Sequence, residues 1–418
     1  MDLCEVQSNS SQRLRIVTFN ICGIRNVLQY HPWNEQKDFG HMFDVLDADI
    51  ICFQELKLQK KDLTKEMVIV PGFDPYFSFP KSKKGYSGVA VYTRSSKCRA
   101  LKAEEGLCFA QHEDPIGGYD LNVRPAEARQ LDSEGRSLVL DFGDFVLINV
   151  YCPAVSSEDR SDFREQFFTV LFDRIKNLVV HGREVILVGD LNVIRDEIDT
   201  ADPSEVLRNS GLSSFKDTYT RQLLDSILAP KQCSIMLDLC RDMHPTRQGM
   251  FTCWNQKLNA RPSNYGSRID YILSSLELGK HCSNADIRPD LLGSDHCPVF
   301  ADISCNSLPK LFQGVKKIPK LSLDYISNYN PTRNITSYFK SKTLPETKES
   351  SPDLQSCAED QKYPQTAGNE VNERKRRECD PIDNRSTKKP TVGQQKLSEF
   401  MTIYRDFPAE NGPESKSS

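Results

Sequence analysis

Val185-Ile186-Leu187-Val188-Gly189-Asp190-Leu191-Asn192 reads as a buried strand that runs out into two reactive polar residues. Its apolar run is continuous, as expected of a central strand covered on both faces. The same arrangement recurs along the chain. Asn20 follows Ile16-Val17-Thr18-Phe19, Glu55 follows Ile51-Cys52-Phe53-Gln54, and Tyr151 follows Leu147 to Val150. Asp270 lies inside Arg268-Ile269-Asp270-Tyr271, and Asp295 and His296 precede Cys297-Pro298-Val299. Strands are predicted over Leu14–Asn20, Ile50–Glu55, Ser87–Thr93, Leu138–Phe142, Phe145–Tyr151, Val185–Asp190, Arg268–Leu273 and Pro298–Ile303. Helical spacing covers Phe39–Leu46 and Arg160–Val180, where Phe163, Phe167, Val170, Leu171, Arg174 and Leu178 share a face. Strands mixed with helices predict an α/β fold: a four-layered sandwich of two packed mixed β-sheets flanked by helices.

Composition sets limits. Of 418 residues, 38% are hydrophobic, below the usual roughly 45–50%. The deficit is local. No apolar run approaches the ~18 residues of a membrane span, and Met1 to Gln12 is too polar for a secretory signal. The 14 cysteines form no Cys-x-x-Cys pair, and Cys52, Cys152 and Cys253 sit in apolar runs, so they read as reduced core thiols. Residues 306–418 hold 19 Lys+Arg and 15 Asp+Glu, which leaves 35 basic and 43 acidic residues in 1–305. A body of net −8 excludes a globally basic nucleic-acid clamp. Any DNA contact must use a local patch, with some of the excess acid occupied by divalent metal. Residues 111–135 and 199–222 read as long polar insertions. Residues 1–13 read as a disordered N-terminal segment, 14–305 as the catalytic domain, and 306–418 as a mostly disordered tail.

Any one polar residue at a strand end serves as a cap or turn former. Six together point to a shared rim. Glu55 with other carboxylates and carboxamides makes a hard-oxygen site suited to Mg²⁺ or Mn²⁺. His296, positioned by a carboxylate such as Asp270, can face a scissile phosphate. Asp190 can orient or deprotonate water, and Asn20, Asn192 and Tyr151 can donate to phosphate oxygens. The chemistry is metal-assisted phosphodiester hydrolysis. No Walker loop, dinucleotide fingerprint, esterase elbow or zinc spacing competes.

Thr18-Phe19-Asn20-Ile21-x-Gly23-Ile24-Arg25, Gln54-Glu55-Leu56-Lys57, Gly189-Asp190-Leu191-Asn192 and Gly293-Ser294-Asp295-His296-Cys297-Pro298, in that order, resemble the endonuclease/exonuclease/phosphatase superfamily. Lys84-Gly85-Tyr86-Ser87-Gly88-Val89, Asp132-Ser133-Glu134-Gly135-Arg136 and Asn264-Tyr265-Gly266-Ser267-Arg268-Ile269-Asp270-Tyr271 narrow the resemblance to the exonuclease III-type AP endonucleases. Tyr151-Cys152-Pro153, Phe251-Thr252-Cys253-Trp254 and the long insertions look most like the fungal branch of their second subfamily.

The resemblance covers about residues 14–303. It implies incision 5′ to abasic sites in double-stranded DNA, 3′-phosphodiesterase activity on blocked 3′ ends and 3′–5′ exonuclease activity, in base excision repair. The cofactor would be Mg²⁺, with Mn²⁺ able to substitute and no zinc. Glu55 is then the principal metal ligand and Asp295 a second carboxylate near the metal. Asn20, Asp190, Asn192 and His296 complete the metal-side set. Asp190 is the water activator and His296 the phosphate partner oriented by Asp270, with the division of base and stabiliser between them open. Tyr151, Asn20 and Asn192 contact phosphate or developing charge, and Lys57 supports the site electrostatically. Arg25, Tyr86, Arg136 and Arg268 are DNA-side or structural contacts. Phe251, Trp254 and Ile269 wall a sugar pocket or belong to the core.

Three departures stand out. Cys22 occupies a position of Asp or Asn beside the metal, Ala154 a position of a phosphate-holding Asn, and Ser267 that of a bulky aromatic wall. A more open pocket would favour exonuclease and 3′-end cleaning.

In the tail, Gln394, Leu397, Phe400 and Met401 fit the Gln-x-x-aliphatic-x-x-aromatic pattern of peptides that dock on the sliding clamp PCNA. A weaker echo spans Thr332 to Phe339. Arg374-Lys375-Arg376-Arg377 with Lys388-Lys389 reads as a two-part nuclear-localisation signal. No histidine follows His296, so a His-bearing zinc finger is not expected here. The expectation is a nuclear monomer without membrane contact. Two other readings stay open: a phosphodiesterase of the same superfamily on a non-DNA substrate, and a clamp-bound scaffold without catalysis.

Overall fold

The computed structural model describes residues 13–81, 83–108, 115–117, 123–154, 160–231, 234–311 and 317–329. One six-stranded sheet contains β1 (Arg13–Asn20), β2 (Ile50–Gln54), β3 (Phe73–Ser78), β4 (Val89–Arg94), β13 (Cys282–Ile287) and β14 (Val299–Ser304), in the order β13-β14-β1-β2-β4-β3. The other contains β5 (Lys102–Glu105), β6 (Ser137–Asp141), β7 (Phe145–Tyr151), β8 (Glu184–Asp190), β9 (Met236–Asp238) and β12 (Asp270–Ser275), in the order β5-β6-β7-β8-β12-β9. A two-stranded ribbon joins β10 (Cys253–Trp254) to β11 (Gly266–Ser267).

Each sheet has one parallel pair at its centre, β1 with β2 and β7 with β8. A parallel pair needs a crossover. Helices α1 (Phe39–Leu46) and α2 (Ser161–Val180) lie within those two crossovers. Asp38 caps α1 by accepting from His41 N–H at 2.9 Å. Phe39, Met42, Phe43 and Leu46 pack on the outward residues Val17, Phe19, Ile51 and Phe53. Phe163, Phe167, Leu171 and Leu178 of α2 likewise cover Val146, Ile148, Val150, Val185 and Leu187. The inward residues Ile16, Ile50, Cys52, Leu147, Ile186, Val188 and Ile272 form the core between the sheets. These are the two mixed sheets and outer helices expected from sequence.

The period of two in a strand makes the rest of the argument. Inward parity on β1 runs through Ile16 and Thr18 to Asn20. On β2 it reaches Gln54, on β7 Tyr151, on β8 Asp190, and on β12 it begins at Asp270. Parallel β1 and β2 end side by side, with Asn20 opposite Gln54, and so do β7 and β8, with Tyr151 opposite Asp190. Antiparallel β12 starts where β8 ends, which sets Asp270 opposite Asp190. The sheets are also joined by polar contacts: Gln54 Nε2 donates to Asn149 Oδ1 at 2.7 Å, and Asn149 Nδ2 donates to the Ala90 carbonyl at 3.0 Å.

Folded structure continues past the boundary at 305 read from composition. Helix α5 (Lys320–Tyr329) packs on β3, with Tyr325 edge-on to Phe77 at 5.1 Å and Tyr329 Oη donating to the Leu63 carbonyl at 2.9 Å. Leu321 and the buried Ser322 complete the docking face of an otherwise polar helix. Tyr325→Ala is expected to lower unfolding stability by about 3 kcal/mol, read by chemical denaturation. A loss below about 0.5 kcal/mol would show that the helix contributes nothing to the domain. Residues 1–12 and 330–418, which hold the N-terminal segment and the stretches read from sequence as a nuclear-localisation signal and a clamp-binding peptide, lie outside the described residues. No helix among the described residues is long and apolar enough to cross a membrane.

Candidate active site

Asp190 sits at the centre of the rim and is buried. Its Oδ1 accepts from Asn192 N–H at 2.8 Å, and its Oδ2 accepts from Asn20 Nδ2 at 2.9 Å and Asn192 Nδ2 at 3.3 Å. His296 Nε2 stands 3.9 Å from the same Oδ2. The other ring nitrogen, Nδ1, is 2.7 Å from Asp270 Oδ2. Asn20 also donates to Glu55 Oε1 at 3.2 Å, so one carboxamide bridges two carboxylates from different sheets. Tyr151 lies with its hydroxyl against Glu55. Ser294 Oγ donates to the Asn20 carbonyl at 2.7 Å and accepts from His296 N–H at 3.1 Å, which ties the Ser294-Asp295-His296 turn to β1.

Burial, with Asp270 and Glu55 adding negative charge, raises the Asp190 carboxyl to about 7. Burial works against protonation of His296, but the Asp270 carboxylate outweighs it and holds the imidazole well above its usual value. Burial keeps Tyr151 a phenol far above its usual range, so its O–H remains a donor. The Cys22 thiol is pushed up to about 12, first by burial and then by Asp295 and Glu55. Lys57 Nζ lies 3.1 Å from Glu55 Oε2 and donates to Cys22 Sγ at 3.0 Å. Desolvation opposes its charge, yet Glu55 raises the ammonium above its usual value.

Backbone strain concentrates here. Cys22, Glu55, Lys57 and Asn192 are four of the nine non-glycine residues with positive φ among the described residues. Such conformations cost about 1–3 kcal/mol each and persist only when neighbours over-determine them. For the Glu55–Lys57 turn the neighbours are Ser87 and Gly88, whose carbonyls accept from Lys57 and Leu56 N–H at 2.9 and 3.0 Å. The Lys84–Val89 motif thus shapes the Glu55 loop. Gly189 answers another constraint: with φ +133°, an added Cβ would lie 1.9 Å from the Val150 carbonyl oxygen.

Cys22, Glu55, Lys57, Tyr151, Asp190, Asn192, Asp295 and His296 line one cleft open to solvent. Its far wall carries Ile194, Val206, Leu258, Tyr265, Ser267 and Ile269. Val206 comes from α3 (Pro203–Ser210), so the insertion at 199–222 is partly helical and walls the cleft. Asn20 and Asp270 lie behind the lining and hold the groups that reach it.

Several expected DNA-side residues are elsewhere. Arg268 is buried between Asp199, at 2.8 and 2.9 Å, and Asp238, at 2.8 Å. Arg136 is buried, donates to the Tyr151 carbonyl at 2.9 Å and stacks on the Tyr151 ring at 4.8 Å. Both are therefore structural members of the rim. Trp254 and Phe251 belong to the core between the sheets rather than to the cleft wall; for Trp254 the β10–β11 ribbon sets this, placing it on the face opposite the cleft-lining Cys253. Only Ile269 of that trio lines the cleft. Tyr86 is tied to Glu134 at 3.3 Å beside Arg136, while Arg25 is exposed and donates to the Asp62 carbonyl at 3.0 Å. Sequence reasoning left Asn149 and Arg164 without a role. Asn149 could have been found as a polar residue at an inward position of an apolar strand. Arg164 carried no signal.

Fold and rim together define an α/β sandwich with an acid–imidazole hydrolytic centre between its sheets. The Endonuclease/Exonuclease/phosphatase family profile matches residues 17–296. The chain therefore belongs to that family. It is 41% identical over 345 residues to DNA-(apurinic or apyrimidinic site) endonuclease 2 of Schizosaccharomyces pombe, across 78% of this chain and 66% of that protein. It is 32% identical to the exodeoxyribonuclease of Bacillus subtilis, across 68% of this chain and 98% of that protein. The crystal structure of the Xenopus laevis APE2 catalytic domain superposes with a TM-score of 0.64 at 33% identity, covering 76% of this chain and 98% of that one.

The donor set fits a divalent cation. Oxygens and ring nitrogens of Asp190, Asp270 and His296 lie within 4.8 Å of one another. Asp270 Oδ1 is buried and accepts no hydrogen bond. Carboxylates and carboxamides suit a hard ion, and a protonated Cys22 thiol does not.

Proposed function

We propose that this protein is a Mg²⁺-dependent DNA repair nuclease that hydrolyses the phosphodiester 5′ to abasic sites and also acts as a 3′-phosphodiesterase and 3′–5′ exonuclease. One observation carries the reading. A buried carboxylate, Asp190, is gripped by two asparagines and stands 3.9 Å from an imidazole that a second carboxylate fixes at 2.7 Å. The names of the relatives above support DNA as substrate.

Glu55 and Asp295, with Asn20, Asn192 and Asp190 around them, would hold the metal, which would neutralise charge on the scissile phosphate, while His296 stays outside the ligand set as a donor. Asp190 orients a water and takes its proton as the oxygen attacks phosphorus. The bond to the 3′ oxygen breaks, and that oxygen takes a proton from solvent. His296, held protonated by Asp270, and the Tyr151 O–H donate to the phosphate oxygens as charge builds. Asn20 fixes Glu55 and Asp190 relative to one another. A catalytically inert scaffold would leave this pairing without a purpose.

The test is a 5′-labelled duplex carrying one tetrahydrofuran abasic analogue, with Mg²⁺, Mn²⁺, EDTA and Glu55→Ala arms. A cut immediately 5′ of the analogue, lost with EDTA and in the variant, is the expected result. Trimming from the 3′ end without that cut would make the protein chiefly an exonuclease, and no metal-dependent cleavage would overturn the reading.

Ser267, half-buried on the cleft wall, would leave room beside the bound sugar. Ser267→Trp is expected to raise the ratio of incision to exonuclease several-fold. An unchanged ratio would remove Ser267 as the cause of the open pocket. For the tail, the reading is nuclear action on the sliding clamp PCNA through Gln394, Leu397, Phe400 and Met401, tested by loss of clamp binding on Phe400→Ala.

A further inference from the structure

We infer that Arg164 is a positioning residue for the hydrolytic centre, an inference that rests on the proposed nuclease activity. Arg164 lies in the first turn of α2 and is buried. Its guanidinium has three neutral acceptors, each at 2.9 Å. Nε donates to the Pro153 carbonyl, Nη2 to the Asn192 carbonyl, and Nη1 to Thr220 Oγ1 of α4 (Tyr219–Ile227). The two carbonyls belong to the two rim loops of this sheet. Pro153 follows Tyr151 at the end of β7, and Asn192 follows Asp190 at the end of β8. A planar fork with fixed donor directions sets the spacing between those loops in a way that a flexible ammonium cannot.

The Asn192 end of that span is the sensitive one. Asn192 is held at φ +51°, so its carbonyl direction is not one the chain adopts freely. Its N–H and Nδ2 are two of the three donors that hold the Asp190 carboxylate, and Nδ2 also donates to the Cys152 carbonyl at 2.9 Å. Arg164 therefore acts on Asp190 at second hand, through Asn192. A small rotation of Asn192 would swing the carboxylate away from the attacking water while the DNA-facing surface stayed in place. Arg221, another buried arginine beneath the cleft, donates to the Ile194 and Phe215 carbonyls at 2.7 Å and serves the wall instead.

The experiment compares wild type, Arg164→Lys, Thr220→Val, Asn192→Ala and the Arg164→Lys/Asn192→Ala double variant on the abasic duplex, with kcat and KM measured separately. Wild type must first cut. Failure there sinks the nuclease reading and leaves the positioning inference without a basis. With wild type active, Arg164→Lys is expected to lose roughly 10- to 100-fold in kcat with KM within about twofold. Thr220→Val, which removes only the contact that orients the guanidinium, is expected to lose a few-fold in kcat. In the Asn192→Ala background Arg164→Lys should cost little more, because both act on one carboxylate. Equal losses in both backgrounds, a change confined to KM, or wild-type kcat in Thr220→Val together with Arg164→Lys would overturn the inference. If Arg164→Lys does not fold, Thr220→Val alone decides by whether kcat falls at constant KM.

Discussion

Asp190→Asn is expected to reduce the single-turnover rate on an abasic duplex by about a thousandfold, or ~4 kcal/mol of transition-state stabilisation, within the range of lost general-base catalysis. The substitution keeps the shape of the side chain but removes the basic oxygen. It also leaves an NH₂ facing a donor whichever way the amide lies, since Oδ1 accepts from Asn192 N–H and Oδ2 faces Asn20, Asn192 and His296, and the water loses its basic acceptor. Thermal melting should stay close to wild type, because a buried charge flanked by Asp270 and Glu55 is removed as hydrogen bonds are lost. The decisive measurement is the rate at saturating metal beside the melting curve. A folded variant retaining more than about a tenth of the rate would take Asp190 out of proton transfer.

Glu55→Gln is expected to act on the metal. Paramagnetic-resonance titration with Mn²⁺ should show affinity weakened by at least about tenfold, since losing even an outer partner of a metal ligand typically costs 10–100-fold. The cleavage rate should fall by a further two orders of magnitude at limiting Mg²⁺ and recover in part as Mg²⁺ is raised. EDTA should abolish cleavage by wild type. The substitution also frees Lys57, whose ammonium lies 3.1 Å from the carboxylate. Unchanged Mn²⁺ affinity in Glu55→Gln would move the metal to the Asp190–Asp270–His296 side of the rim.

What the sequence made legible follows from one property of strands. The central strands are continuously apolar and run into polar residues at their ends, so the strands and their terminal groups could be read together. The four edge strands, β3, β5, β9 and β13, were not read. Pro75 interrupts β3, Lys102-Ala103-Glu104-Glu105 forms β5, β9 has three residues, and β13 runs Cys-Ser-Asn-Ala-Asp-Ile. Edges carry proline, charge and brevity because an open edge must avoid pairing with another chain. Those features also erase the apolar pattern that betrays a strand. Helix α5 was missed for a related reason: its docking rests on a few residues, Leu321, Tyr325 and Tyr329, spaced along a polar stretch.

By itself the sequence determined the order of the central strands along the chain, the two crossover helices, and which residue types stand at the strand ends. Inward parity could also be counted from it. Only the tertiary structure decided which ends meet. Asp270 enters the site because β12 runs antiparallel to β8, and His296 because its turn is tied to β1 by Ser294. Arg136, Arg268 and Trp254 face inward because ion pairs and a two-stranded ribbon capture them, something no local pattern encodes. The physical reason is range. Strand and helix propensities act over a few residues, whereas the rim is assembled by contacts such as Asn20 to Asp190, between residues that meet only when the two sheets pack, and Arg164 to Asn192, which meet only when α2 docks on its own sheet.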